Sequence, residues 1–200
     1  MMNVEFKKIN WPGLMCAITG AILVALSLLY AAPWWQVAIG DGLGLVEISP
    51  LDYRANLFGT SLEVPLIWFL NLGSKLTMIA FAITMFICSL LTQKGFSKQL
   101  LGFAYKKPIF MLVLFIAMLV ALSMIVGNSL GTSFALVGTT TVSLSAGGAK
   151  ANVPVSTSFT WVFWLAVATT ALAVAARIYA WKVLKTPSAQ TSENKTEGAH

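Results

Sequence analysis

Four long apolar runs leave this chain few ways to fold: Leu14 to Ala32, Ser74 to Thr92 with Pro65 as an earlier start, Pro108 to Gly127, and Trp161 to Trp181. Each is close to the length a helix needs to cross a hydrocarbon layer of about 30 Å at about 1.5 Å per residue. Only 10% of the 200 residues are charged and 58% are hydrophobic, whereas roughly a quarter of a soluble domain is charged. The bilayer therefore replaces a large water-soluble core. A single four-span membrane domain over residues 1–185 is expected, with helices at about 14–32, 74–92, 108–127 and 161–181 and two long connections, 33–73 and 128–160.

The first run could be mistaken for a cleaved leader. Its apolar core exceeds the usual length of about 7 to 15 residues, and Pro33 after Tyr30-Ala31-Ala32 makes a poor cleavage site, so it reads as a span. Ten of the thirteen Lys and Arg residues fall on one side of a four-span arrangement: Lys7, Lys8, Lys94, Lys98, Lys106, Lys107, Arg177, Lys182, Lys185 and Lys195. The positive-inside rule then puts both termini and the 93–107 connection in the cytoplasm of a multi-pass protein of the cell membrane, and the two long connections outside. The net charge of +6 is accounted for by this topology, and no nucleic-acid partner is expected. Lys94, Lys98, Lys106 and Lys107, set around Phe96 and Phe103, could meet anionic lipid headgroups, each contributing about 1 kcal/mol near such a surface. The polar tail 186–200 reads as disordered.

Between the first two runs the periodicity changes. Trp35, Val37 and Ile39 alternate with Trp34, Gln36 and Ala38, as a half-buried strand requires. Gly40-Asp41-Gly42 is a turn, and Leu43 to Ile48 reads as a second short strand before Pro50. From Leu51 to Ser61 the sequence reads as a polar loop with a local Asp52/Arg54 pair.

In the other long connection, Ala146-Gly147-Gly148-Ala149 forms a two-residue hairpin turn. Pairing outward sets Leu144 opposite Ala151, Val142 opposite Val153 and Thr140 opposite Val155 on an apolar face. Ser145/Lys150, Ser143/Asn152 and Thr139/Ser156 fall on a polar one. A lone hairpin is only marginally stable, so the two connections are expected to join in one small extracellular antiparallel β-sheet. With Cys16 and Cys88 both inside spans, no disulfide staples it; they read as inert apolar fillers.

Helix packing has its own signature. Ala17, Ala21 and Ala25 recur every four residues in the first run, a small-residue stripe for close helix approach. In the last run Ala166, Thr170 and Ala173, and Ala168, Ala171 and Ala175, form two such faces.

Four spans, cytoplasmic termini and a long β-rich first external loop resemble the claudin and peripheral-myelin-protein-like tetraspan group. The residues carrying the likeness are Pro33-Trp34-Trp35-Gln36-Val37, similar to the Pro-x-Trp-basic-Val segment of that family, and Lys75 as a basic residue leading into the second helix. The Gly-Leu-Trp…Cys…Cys signature is absent, with Leu43-Gly44-Leu45 an echo of it. The resemblance implies the architecture, and does not carry over a paracellular barrier.

No residue set specifies a reaction. The one histidine, His200, ends the polar tail, which leaves haem ligation, a His-rich metal site and a His-based triad unsupported. Gly40-x-Gly42-x-Gly44 lacks the following helix and basic residue of a phosphate loop. The spans lack the buried carboxylates of a proton-coupled carrier. The expectation is a non-enzymatic, cofactor-free protein bound to membrane lipids and to like chains or another membrane protein. Trp34, Trp35, Asp52, Tyr53, Arg54 and Phe58 would be presented on its external sheet. A small channel or an accessory subunit of a transporter is the alternative, with Asn71 and Thr84 as candidate polar-path residues.

Overall fold

The computed structural model describes residues 9–40, 42–57, 59–61, 65–91, 95–130, 135–146 and 149–183. Within them the chain runs through helix α1 (Trp11–Tyr30), strands β1 (Trp35–Ile39), β2 (Gly44–Ile48), β3 (Tyr53–Leu57) and β4 (Thr60–Ser61), helices α2 (Pro65–Leu90), α3 (Gly95–Ala104) and α4 (Lys106–Leu130), strands β5 (Gly138–Ala146) and β6 (Ala149–Phe159), and helix α5 (Trp161–Val183). Among the described residues four helices are long and apolar enough to cross a membrane: Trp11–Tyr30, Ile67–Leu90, Gln99–Asn128 and Trp161–Lys182.

Helix α1 begins where Asn10 caps it. The side chain accepts the Gly13 N–H at 3.1 Å, with Pro12 in the first turn, where a missing N–H costs nothing. It ends before Pro33 because Ala31 turns into the left-handed region at φ +46. The Ala31 and Ala32 N–H groups close back on the Ser27 and Leu26 carbonyls at 3.1 and 3.4 Å, as helix C-termini commonly do. α1 is the hub of the bundle, packed against α2 on one side and α5 on the other.

The sheet order is β4-β3-β2-β1-β6-β5, antiparallel throughout. β1 sits in the middle, pairing with β2 of its own hairpin and with β6 of the second connection, so both connections form one sheet. The expected register of the β5–β6 hairpin holds at every pair, including Leu144↔Ala151, Val142↔Val153, Thr140↔Val155 and Thr139↔Ser156. The two glycines of its turn lie outside the described residues. Period-two alternation then sorts the sheet: Trp35, Val37, Ile48, Ala55, Val142, Val153, Val155 and Thr157 are buried on the inner face. Thr160 ties the second connection to the first, its N–H to the Trp34 carbonyl at 3.0 Å and its hydroxyl to the Pro33 carbonyl.

Three expectations are corrected. The stretch after Pro50 is not a loop: Tyr53 to Leu57 forms β3, because Tyr53, Ala55 and Leu57 alternate with Arg54 and Asn56 and pair residue by residue with β2. The helix of the second run starts at Pro65, the earlier of the two expected starts, and Lys75 therefore lies ten residues inside it rather than leading into it. The 93–107 connection contains α3, which continues almost directly into α4. The break falls at Tyr105 because Pro108 has no N–H for the Ala104 carbonyl and its ring crowds that carbonyl.

Candidate interaction surface

The outer face of the sheet is built from the residues that alternate with the core. Gln36, Glu47 and Arg54 stand in one cross-strand row, and Ala38, Leu45, Asn56, Ser156 and Thr139 in the next. These side chains bond each other across the strands. Gln36 Nε2 donates to Ser158 Oγ at 3.2 Å, Thr139 and Ser156 share a hydroxyl bond at 3.0 Å, and Ser143 Oγ donates to Asn152 Oδ1 at 2.7 Å. The Glu47/Arg54 pair, at 3.4 Å, is the charged exception among the described side chains of this face. Hydroxyls and amides of this kind can hydrogen-bond a partner but offer no matched acid and base. Among the described residues no three His, Cys, Asp or Glu side chains converge as metal ligands.

The residues expected to be presented for interaction divide sharply. Trp34 and Trp35 are core residues, 3% and 1% exposed, and the expectation that they project outward is corrected. Trp34 meets Phe115 edge-on at 5.3 Å and Phe163 at 6.4 Å, seating the start of the sheet on α4 and α5. Trp35 points inward and donates its Nε1–H to the Leu136 carbonyl at 2.8 Å. Two adjacent tryptophans can both be buried because the chain leaves a helix and enters a strand there, so one ring goes down to the helices and one under the sheet. Tyr53 is half-buried, in register with Ile48 on the inner side. Phe58 lies outside the described residues.

Asp52 and Arg54 do not pair with each other. Asp52 accepts from Lys75 Nζ at 3.3 Å, with both side chains about one-fifth exposed, and from the Tyr53 N–H at 2.9 Å. Lys75 is thereby tolerated inside a long apolar helix. Arg54 reaches the end of α1 and donates to the Tyr30 and Ala31 carbonyls, both at 2.8 Å. A cation at the negative end of the helix dipole satisfies carbonyls that the helix leaves open. Both residues, expected as a surface pair, join the sheet to the helices.

The small-residue stripe is also corrected. Ala17 is buried, but Ala21 and Ala25 face outward, and the packed side of α1 is Gly13, Cys16, Ala17, Gly20, Leu23 and Ser27. Steps of four drift by about 40° each around a helix of 3.6 residues per turn, whereas mixed steps of three and four stay on one face. A Cβ on Gly13 would run into Ser89 Oγ, and one on Gly20 would meet the Phe81 ring at 3.0 Å. On α5, Ala166 and Ala173 are buried while Ala168 and Ala171 face outward. Of the lysines expected to face lipid, Lys94 lies outside the described residues, Lys98 sits in α3, Lys106 is exposed and Lys107 half-buried.

Sequence reasoning missed Asn10. It is fully buried, and besides capping α1 it donates Nδ2–H to the Ala176 carbonyl at 3.1 Å and its own N–H to the Ser89 carbonyl at 3.1 Å. One side chain and one amide thus pin α1, α2 and α5 together. The signal was present, since Asn immediately before Trp-Pro at the head of an apolar run is a helix-start pattern.

Compared with known protein families, with curated proteins and with solved structures, the chain matches none. Fold and residues together define a protein with four helices able to span a membrane and a six-stranded antiparallel sheet joined to one end of the bundle.

Proposed function

We propose that this chain is a non-enzymatic membrane protein, of claudin and peripheral-myelin-protein-like type, that assembles with like chains or binds a partner through an extracellular sheet. The observation that carries the reading is the free edge of the sheet. β5 is nine residues long and terminates the strand order, and its sequence, GTTTVSLSA, has no charge and no proline. Exposed edges are ordinarily guarded by charge, proline or shortness, because unpaired N–H and C=O groups recruit another strand. The opposite edge, β4, is guarded in that way, being two residues long. An unguarded long edge beside a hydroxyl- and amide-rich face suits strand addition by a second chain. The ten Lys and Arg residues on the other side of the membrane support the external placement of the sheet and the cytoplasmic placement of both termini.

The test is crosslinking with mass spectrometry on native membranes, comparing the wild type with Thr141→Lys, which places a charge on the open edge. Crosslinks from β5 to another copy or to a partner, lost in Thr141→Lys, are expected. A protein that couples to nothing through β5 or the outer face refutes the reading.

A further inference from the structure

We infer that the crevice between α2, α3 and α4 is a binding site for one membrane lipid with an acidic headgroup. It has a volume of about 180 Å³ and is lined by Thr77, Ala80, Phe81, Thr84, Phe103, Ala104 and Lys107. Its walls come from three elements because the helix is interrupted at Tyr105, so that α3 ends and α4 begins beside α2. The inference does not depend on what the sheet binds.

The chemistry of the walls selects the ligand. Lys107 Nζ lies 4.3 Å over the ring of Phe103, one turn before it on the chain, so the ammonium points back along the crevice toward the α3 side. Among the described residues no carboxylate lies within ion-pair distance of it. Thr84, on the opposite wall, has no hydrogen-bond partner for its hydroxyl among the described residues, whereas Thr77 donates to the Gly73 carbonyl at 2.8 Å. Thr84 lies six residues before the end of α2 at Leu90, about 9 Å along the helix. Lys107, at the second position of α4, and Thr84, within α2, line the same crevice, where an anion would pair the ammonium and accept from the hydroxyl. Ala80, Phe81 and Ala104 supply an apolar wall beside them, and Phe103 is 62% exposed at the rim. A phosphate at Lys107 and Thr84 with an acyl chain along Phe103 uses every one of these groups; a soluble anion leaves the apolar wall bare, and a zwitterionic phospholipid brings a choline cation beside Lys107.

The test is native mass spectrometry of the purified full chain, equilibrated with phosphatidylglycerol, with phosphatidylcholine of the same acyl chains, or with glycerol phosphate. Phosphatidylglycerol should be retained preferentially. Lys107→Gln should lower that preference about fivefold, the equivalent of the roughly 1 kcal/mol a basic residue contributes near an acidic headgroup, while Lys107→Arg keeps it. Ala80→Trp, which fills the crevice and leaves the charge in place, should exclude the lipid. Lys106→Gln, at the exposed neighbour, should leave retention unchanged. Equal retention of both lipids, equal losses in Lys106→Gln and Lys107→Gln, or retention of glycerol phosphate as strong as that of the lipid would each overturn the assignment.

Discussion

Replacing Asn10 by alanine should loosen the junction of three helices at once. Its side chain is fully buried and makes two bonds, accepting from the Gly13 N–H and donating to the Ala176 carbonyl, each at 3.1 Å. Losing an N-cap costs about 1 kcal/mol. Losing the second bond adds about 0.5–1.5 kcal/mol, because the Ala176 carbonyl lies inside α5 and keeps its place in the helix. The expected total is about 1.5–2.5 kcal/mol, within the usual range for a single substitution. Asn10→Ser separates the terms, because its hydroxyl keeps a capping oxygen and is too short to reach Ala176. Reversible unfolding in mixed micelles, titrated with denaturing detergent and followed by circular dichroism, measures both. The order should be wild type, then Ser, then Ala. A cost below about 0.5 kcal/mol for Asn10→Ala, the range of unremarkable surface changes, would refute the role given to this residue.

Four further outcomes follow from the same geometry. In that unfolding assay Gly13→Ala should destabilise, because its Cβ meets Ser89 Oγ, while Ala21→Leu on the outward face of α1 should stay within about 0.5 kcal/mol of wild type. Trp35→Phe puts a smaller ring in the buried site and loses the bond to the Leu136 carbonyl, so a loss above about 1 kcal/mol is expected. Arg54→Met, which uncaps α1, should cost about 0.5–1 kcal/mol, a loss that shrinks at high salt if the helix dipole is its source. A double-mutant cycle on Asp52 and Lys75, with Asp52→Asn and Lys75→Met, should give a coupling of roughly 1 kcal/mol, the upper end for a partly exposed pair.

What could be read from the sequence depended on whether a signal was local. The β5–β6 register was legible to the residue because a two-glycine turn fixes which residues face each other, and alternation then has one solution. The long apolar helices were legible because length and apolarity alone define them. β3 was missed although Tyr53, Ala55 and Leu57 alternate with Arg54 and Asn56, because the charges suggested a local pair. Its partners, Glu47 across the sheet and the end of α1, are set by tertiary structure. The fate of Trp34 and Trp35 was illegible for a related reason: an aromatic pair at a span boundary suits a membrane interface as well as a core, and only the arrival of Phe115 and Phe163 decides. The packed stripe of α1 could have been found by following mixed steps of three and four from Gly13. The crevice at Lys107 was legible only in part: Pro108 marks the helix break, but the α2 wall that faces it is brought there by tertiary packing.

Everything proposed for the outer face requires that the two long connections form one sheet through β1 and β6. Ala38 and Ser156 are directly opposed on that face, and both native cysteines are buried, so the double variant Ala38→Cys/Ser156→Cys tests the pairing in native membranes. Oxidation should produce an intramolecular disulfide joining peptides of the first and second connections, while the offset pair Ala38→Cys/Asn152→Cys should produce none. Failure of the opposed pair to close, or equal closure of both pairs, would contradict a single sheet and the shared surface built on it.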